Sequence, residues 1–106
     1  MGSMQKTAVL GCLGLLLAGP AQAADELLNK YGCYSCHQDE RKLVGPAFQD
    51  VATKYRTDKT AVAKLIAKVK SGGSGVWGVM VMPPHPAVPD EDLQKMVQVI
   101  LASRAK

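Results

Sequence analysis

Four segments of this 106-residue chain carry apolar residues at helical spacing, and glycine or proline breaks separate them. That pattern predicts an all-α fold of about four helices. Nothing in the chain reads as a strand, since no run of Val, Ile or aromatic residues alternates with polar ones between turn signals. Size points the same way: with no internal repeat, low-complexity tract or composition shift, residues 24–106 are one small domain behind an N-terminal leader.

The leader is read from residues 1–23. Lys6 gives a short positive start, Ala8 to Ala18 is an uncharged apolar run, and Gly19-Pro20 breaks it. Ala21-Gln22-Ala23 then matches a small-residue cleavage site, which predicts a cut after Ala23 and export of the remainder. A retained membrane anchor is the competing reading, but the run is shorter than the roughly 20 apolar residues that span a bilayer. Val9-Leu10-Gly11-Cys12 loosely matches a lipoprotein cleavage box with too little apolar sequence before it, so Cys12 is expected to leave with the leader. Met1-Gly2-Ser3 stands ahead of a second Met as possible extra sequence.

The first helix is expected from Asp25 to Tyr31, with Leu27, Leu28 and Tyr31 on one face. A second runs from Pro46 to Tyr55. Proline suits its first position, and Phe48, Val51, Ala52 and Tyr55 share a side. Thr57 or Asp58 caps a third, whose buried stripe is Val62, Leu65, Ile66 and Val69 while Lys59, Lys64, Lys68 and Lys70 solvate its other faces. Ser71-Gly72-Gly73-Ser74-Gly75 ends it in a turn. The fourth spans about Asp90 to Ser103, with acids at its start, Leu93, Met96, Val97, Ile100 and Leu101 inside, and Arg104 and Lys106 near its end.

Chemistry concentrates in Cys33-Tyr34-Ser35-Cys36-His37. At this spacing two thiols can each add to a vinyl group of one haem, and the neighbouring imidazole is held where it can take an axial position on the iron. Two other chemistries compete. A redox disulfide is expected beside a βαβ pattern that is missing here, and structural zinc needs more soft ligands than His37 and His85 supply after the leader is gone. Haem attachment is the reading taken, and the leader agrees with it, because bacteria attach haem covalently on the far side of the inner membrane.

A haem would also solve a packing problem. Aromatic residues are few, namely Tyr31, Tyr34, Phe48, Tyr55 and Trp77. A domain this small is marginal without a metal, disulfide or cofactor, so the apoprotein is expected to fold poorly. The second axial position calls for another ligand, and Met80 and Met82 both lie on the loop between the third and fourth helices. Met82 is the better placed: Pro83 biases it toward extended backbone and the double proline stiffens the loop. Met96 reads as helix core.

Taken in order, Cys33-x-x-Cys36-His37, Val44-Gly45-Pro46-Ala47, Gly75-Val76-Trp77-Gly78 and Met82-Pro83-Pro84 closely resemble the small bacterial class I cytochromes c of the cytochrome c-551 type. The resemblance covers nearly all of residues 24–106. It implies a small monohaem fold of about four helices around covalent haem c, with Cys33 and Cys36 as thioether attachments and His37 and Met82 as metal ligands. It further implies that the Pro46 carbonyl fixes the His37 ring and that Trp77 packs beside the haem and bonds a propionate. Core packing alone is an equal reading of Trp77.

Three positions depart from that pattern. Val79 and Val81 stand where prolines are usual, so the strap is expected to be less rigid. Val99 stands where the last helix commonly has Trp. His85 replaces an amide able to bond the Met sulfur. It is open to make that bond, face solvent or compete for iron; solvent is the first reading, and competition the last because proline stiffens the loop.

Two filled axial positions leave no room for substrate, so the chain is expected to be no enzyme but a one-electron carrier in the periplasm. The competing functions are a haem enzyme or gas sensor with a labile distal Met, and a haem subunit of a larger complex. Formal net charge is +4, of which the leader contributes only Lys6, and haem propionates offset more. That balance is too mild for a nucleic-acid binder. Lysines near a haem edge would instead steer acidic redox partners into transient encounters. By resemblance these are reductases, peroxidases, oxidases or quinol-oxidising complexes, met by a monomer with no stable membrane insertion after cleavage.

Overall fold

The computed structural model describes residues 19–103, so most of the predicted leader, with Cys12, and the basic end at Arg104 and Lys106 lie outside the described residues. Four helices follow in order: α1 Pro20–Lys30, α2 Phe48–Lys54, α3 Ala61–Ser71 and α4 Asp90–Leu101. A single 3-10 turn, Cys33–Ser35, separates α1 from α2. Among the described residues there is no strand, only one antiparallel bridge between Gly73 and Met82. No described helix is long and apolar enough to cross a membrane.

Three helix starts differ from expectation. α1 begins at Pro20 rather than near Asp25, because proline at the first helical position needs no backbone partner and the alanines that follow favour helix. The predicted cut after Ala23 therefore falls within α1. α2 starts at Phe48, not Pro46: Ala47 is the extended N-cap, and Pro46 stays outside with its carbonyl turned to His37. α3 is capped by Thr60, not by Thr57 or Asp58; Asp58 braces that cap from outside the helix, its carboxylate accepting from the Thr60 backbone N–H at 2.8 Å, the Thr60 hydroxyl at 2.6 Å and Lys64 Nζ at 2.8 Å. Those bonds to Lys64 and Thr60 draw the Asp58 carboxyl down to about 2.

α4 is the hub, packed on α1, α2 and α3. Its apolar stripe buries Leu93, Met96 and Val97, and Leu93 and Met96 cluster with Leu28 of α1, Phe48 of α2 and Val88 of the preceding loop. Met96 is thus core, and Val99 packs against the same cluster. The start of α4 carries Asp90, Glu91 and Asp92, where negative charge suits the helix dipole. Two of these acids also tie elements together. Tyr31 donates to Asp92 at 2.7 Å across the α1–α4 contact, a bond that, with burial, raises the phenol above its ordinary value, and Lys70 pairs with Asp90.

The core is incomplete in one direction. In α3 only Ala61 is buried, while Val62, Leu65, Ile66 and Val69, the expected stripe, remain half-buried. Leu65 and Val69 line a cavity, and Val69 with Ile66 also packs against the core cluster.

Candidate haem-binding site

The cavity holds about 1470 Å³ of space, counting what opens to solvent, and is walled by α1, α2, α3, α4 and the loops between them. Its walls are aliphatic, including Leu28, Val51, Leu65, Val69, Leu93 and Ile100. Cys33, Cys36 and His37 enter from one side, and Met80 and Met82 from the loop before α4.

Local chain geometry explains how the three motif residues converge. Gly32 leaves α1 at a φ of 76°, a left-handed turn that favours glycine. The chain then winds tightly, with the Cys36 and His37 N–H groups both donating to the Cys33 carbonyl at 3.2 and 3.0 Å. Cys33, Cys36 and His37 come to lie about one turn apart on a common side. The two cysteines are half-buried and not joined in a disulfide, and burial pushes an unattached Cys33 thiol up. Tyr34 between them packs edge-on against Phe48 at 5.7 Å, and burial, aided by Asp39 and Asp25, pushes its phenol up to about 12.

The His37 ring is fixed from three directions. Nδ1 lies 2.8 Å from the Pro46 carbonyl. A carbonyl only accepts, so Nδ1 carries the proton and Nε2 keeps its lone pair for a metal. Phe48 stacks on the ring at 5.0 Å and 17°. Gly45 closes the third side: a Cβ there would sit 2.6 Å from the ring's Cε1, while its own N–H donates to the Cys36 carbonyl at 2.7 Å. Sequence reasoning missed this role of Gly45, although its place directly before Pro46 was a usable signal.

The distal strap is anchored at its ends and free in its middle. Gly73 and Met82 exchange both backbone hydrogen bonds, at 3.0 and 2.8 Å, and the Gly75 N–H donates to the Gly78 carbonyl at 2.8 Å to close the turn. Met82 is half-buried, whereas Met80 is 60% exposed and Val79 and Val81 more so. Trp77 lines the cavity at 40% exposure, with Lys54 Nζ 5.6 Å above its ring.

Two expectations about basic and imidazole residues change. Lys68, read as a solvated face of α3, is half-buried and lines the cavity, three residues on from Leu65 on the same helix face. Lys64 and Lys70 instead pair with Asp58 and Asp90. His85 is half-buried rather than solvent-facing: its backbone N–H donates to the Val69 carbonyl at 2.9 Å, and its Nδ1 is buried with no partner.

These residues suit a haem. Aliphatic walls match the macrocycle, paired thiols reach its vinyl groups, an imidazole and a thioether are available to the iron, and Lys68 and Trp77 offer N–H donors at the cavity edge. A four-helix domain wrapped around such a cavity defines a covalent haem protein.

The comparisons agree. The Cytochrome c family profile matches residues 21–102. Cytochrome c-552 of Nitrosomonas europaea is 46% identical over 99 residues, covering 91% of this chain and 96% of its own. Cytochrome c-551 of Pseudomonas aeruginosa is 40% identical over 105 residues, covering 95% and 100%. The crystal structure of Nitrosomonas europaea cytochrome c552 superposes with a TM-score of 0.73 at 42% identity, over 76% of this chain and 99% of that one. The chain belongs to the cytochrome c family. It carries one haem c, bound covalently through Cys33 and Cys36, and is a monohaem electron carrier that works with redox partner proteins.

Proposed function

We propose that this protein is a periplasmic carrier that moves one electron at a time with His37 and Met82 as axial ligands, and is not an enzyme. The observation that carries the reading is a pair of separately anchored residues in the lining of one cavity. His37 is held by the Pro46 carbonyl with Nε2 left free, and Met82 is pinned by its bridge to Gly73. Met80, the other thioether on the strap, is more exposed and has no such pairing.

Bound haem supplies the reversible Fe(II)/Fe(III) couple, and a thioether ligand favours the reduced state and raises the potential. The protein's own part is positional. Pro46 sets the tautomer and plane of His37, and the bridge to Gly73 sets the depth of Met82. Leu65, Val69 and Leu93 keep water from the buried side of the cavity. Trp77, through its indole N–H, and Lys68, both in the cavity lining, would donate to the haem's carboxylates. With both axial positions held by the chain, electron transfer needs little rearrangement.

Location follows from the leader reading, with residues 1–23 removed on export and residues 24–106 acting as a monomer. The partners are reductases, peroxidases, oxidases or quinol-oxidising complexes met in transient encounters.

The test is the absorption spectrum of the purified protein, oxidised and reduced, in Met82→Ala and Met80→Ala as well as the parent. Loss of the weak far-red band of Met-ligated ferric haem in Met82→Ala alone supports the reading. A high-spin parent that binds carbon monoxide readily overturns it in favour of an enzyme or gas sensor.

A further inference from the structure

Gly72 is the C-cap of α3, and two independent features of its surroundings demand that it have no side chain. Its backbone sits at φ 71° and ψ −169°, a region that is essentially reserved for glycine. Its space is closed as well: a Cβ would lie 2.5 Å from the Met82 carbonyl oxygen, 2.8 Å from the Pro84 nitrogen and 3.0 Å from the Pro83 carbonyl carbon. All three are backbone atoms, which cannot rotate away as a side-chain tip can. Gly72 is buried, and its N–H donates to the Lys68 carbonyl at 2.7 Å, so it cannot retreat without unwinding the last turn of α3.

Around this contact the distal segment is stitched to α3 and its cap. The Gly73 N–H donates to the Met82 carbonyl at 3.0 Å, the Met82 N–H to the Gly73 carbonyl at 2.8 Å, and the His85 N–H to the Val69 carbonyl at 2.9 Å. Gly72 lies between these attachments. Upstream the strap has no comparable seat, since Val79, Met80 and Val81 are 60–89% exposed.

We propose that Gly72 is the positioning residue for the distal ligand: by lacking a side chain it lets the Met82–Pro84 backbone lie directly on the end of α3, and this contact sets how far Met82 reaches into the cavity. The inference rests on the reading of Met82 as the axial ligand. Any side chain at 72 lifts the Met82 carbonyl, breaks its bond from Gly73 and draws the thioether away from the iron's position. Gly75 supplies a built-in comparison. It has a φ of 102°, in the same loop, but nothing lies within 4 Å of its Cβ position, so a substitution there strains backbone without striking the strap.

The experiment compares Gly72→Ala, Gly75→Ala and Met82→Ala holoproteins by the far-red ferric band, the midpoint potential and carbon monoxide binding. The expected result is that Gly72→Ala loses most of the band, shifts to lower potential and gains carbon monoxide binding, while Gly75→Ala keeps the parent's band and potential. A parent without the band, or one that keeps it in Met82→Ala, defeats the ligand reading and this inference with it. A band that depends on Met82 but survives in Gly72→Ala at the parent's potential defeats this inference alone, as does an equal loss in Gly75→Ala. Should Gly72→Ala yield no holoprotein, amide hydrogen exchange on the heated parent decides. Joint loss of protection at Gly73, Met82 and His85 with the far-red band supports the seat, and loss of the band while those amides stay protected overturns it.

Discussion

His37 shows how much of an imidazole's posture is set by the residues packed around it. The Pro46 carbonyl chooses its tautomer, Phe48 its plane and Gly45 the space left for it. Gly45→Ala would drive a methyl into the ring, and such overpacking costs about 1–3 kcal/mol. The expected outcome is a lower thermal midpoint, with a displaced His37 ring signal in the NMR spectrum of the reduced protein. His37 and the two cysteines were legible as residue types in a fixed pentapeptide. The clearance around the ring was not, because a glycine's reason is the atom it leaves room for, and that atom belongs to a residue eight positions away. Lys68 escaped for a related reason: a lysine among four on one helix looks solvated until the helix is seen to border a cavity.

Helix boundaries depended on which backbone groups were already committed. Pro46 is outside α2 because its carbonyl serves His37, a use that proline preference alone does not reveal. Asp58, read from the sequence as a possible cap of α3, instead bonds the actual N-cap, Thr60, and that role yields a pH prediction. Its carboxyl lies at about 2 against an ordinary 3.8, so the charged form favours the fold. That contribution is present above the unfolded value and is lost as pH falls through the folded one. Asp58→Ala is therefore expected to lower the thermal midpoint at neutral pH, with the difference from the parent vanishing as the solution approaches pH 2, measured by circular dichroism melts. In α4 the apolar period identified the buried face correctly, and Leu93, at 0% exposure, is its centre. Leu93→Ala should cost about 2–5 kcal/mol in denaturant unfolding, since the vacated space borders both α1 and the cavity.

At the scale of the whole molecule, the all-α class and the four-helix count followed from periodicity, whereas the hollow centre did not. Apolar stripes predict that faces are covered without saying by what. Here much of α3's inner face is covered by the cavity's occupant, so Cys33→Ala/Cys36→Ala protein is expected to lack near-UV circular dichroism and to bind a hydrophobic dye, as a loosely packed chain does. Surface charge gives a second expectation. Lys42, Lys54 and Lys68 lie at or beside the cavity's lining, near the exposed side chains of Val44, Val76 and Trp77. Electron exchange with an acidic-surfaced redox protein should slow as ionic strength rises, and slow further in Lys54→Glu, when followed by stopped-flow absorbance. Finally, α1 runs unbroken from Pro20 through Ala24, whose side chain is buried against the fold. A peptidase must draw its substrate out straight, whereas in the uncut chain the Ala23–Ala24 bond lies coiled within α1. Cleavage after Ala23, as proposed, would thus belong to the interval before the chain closes up, and folding would be the point after which an uncut precursor could no longer be matured.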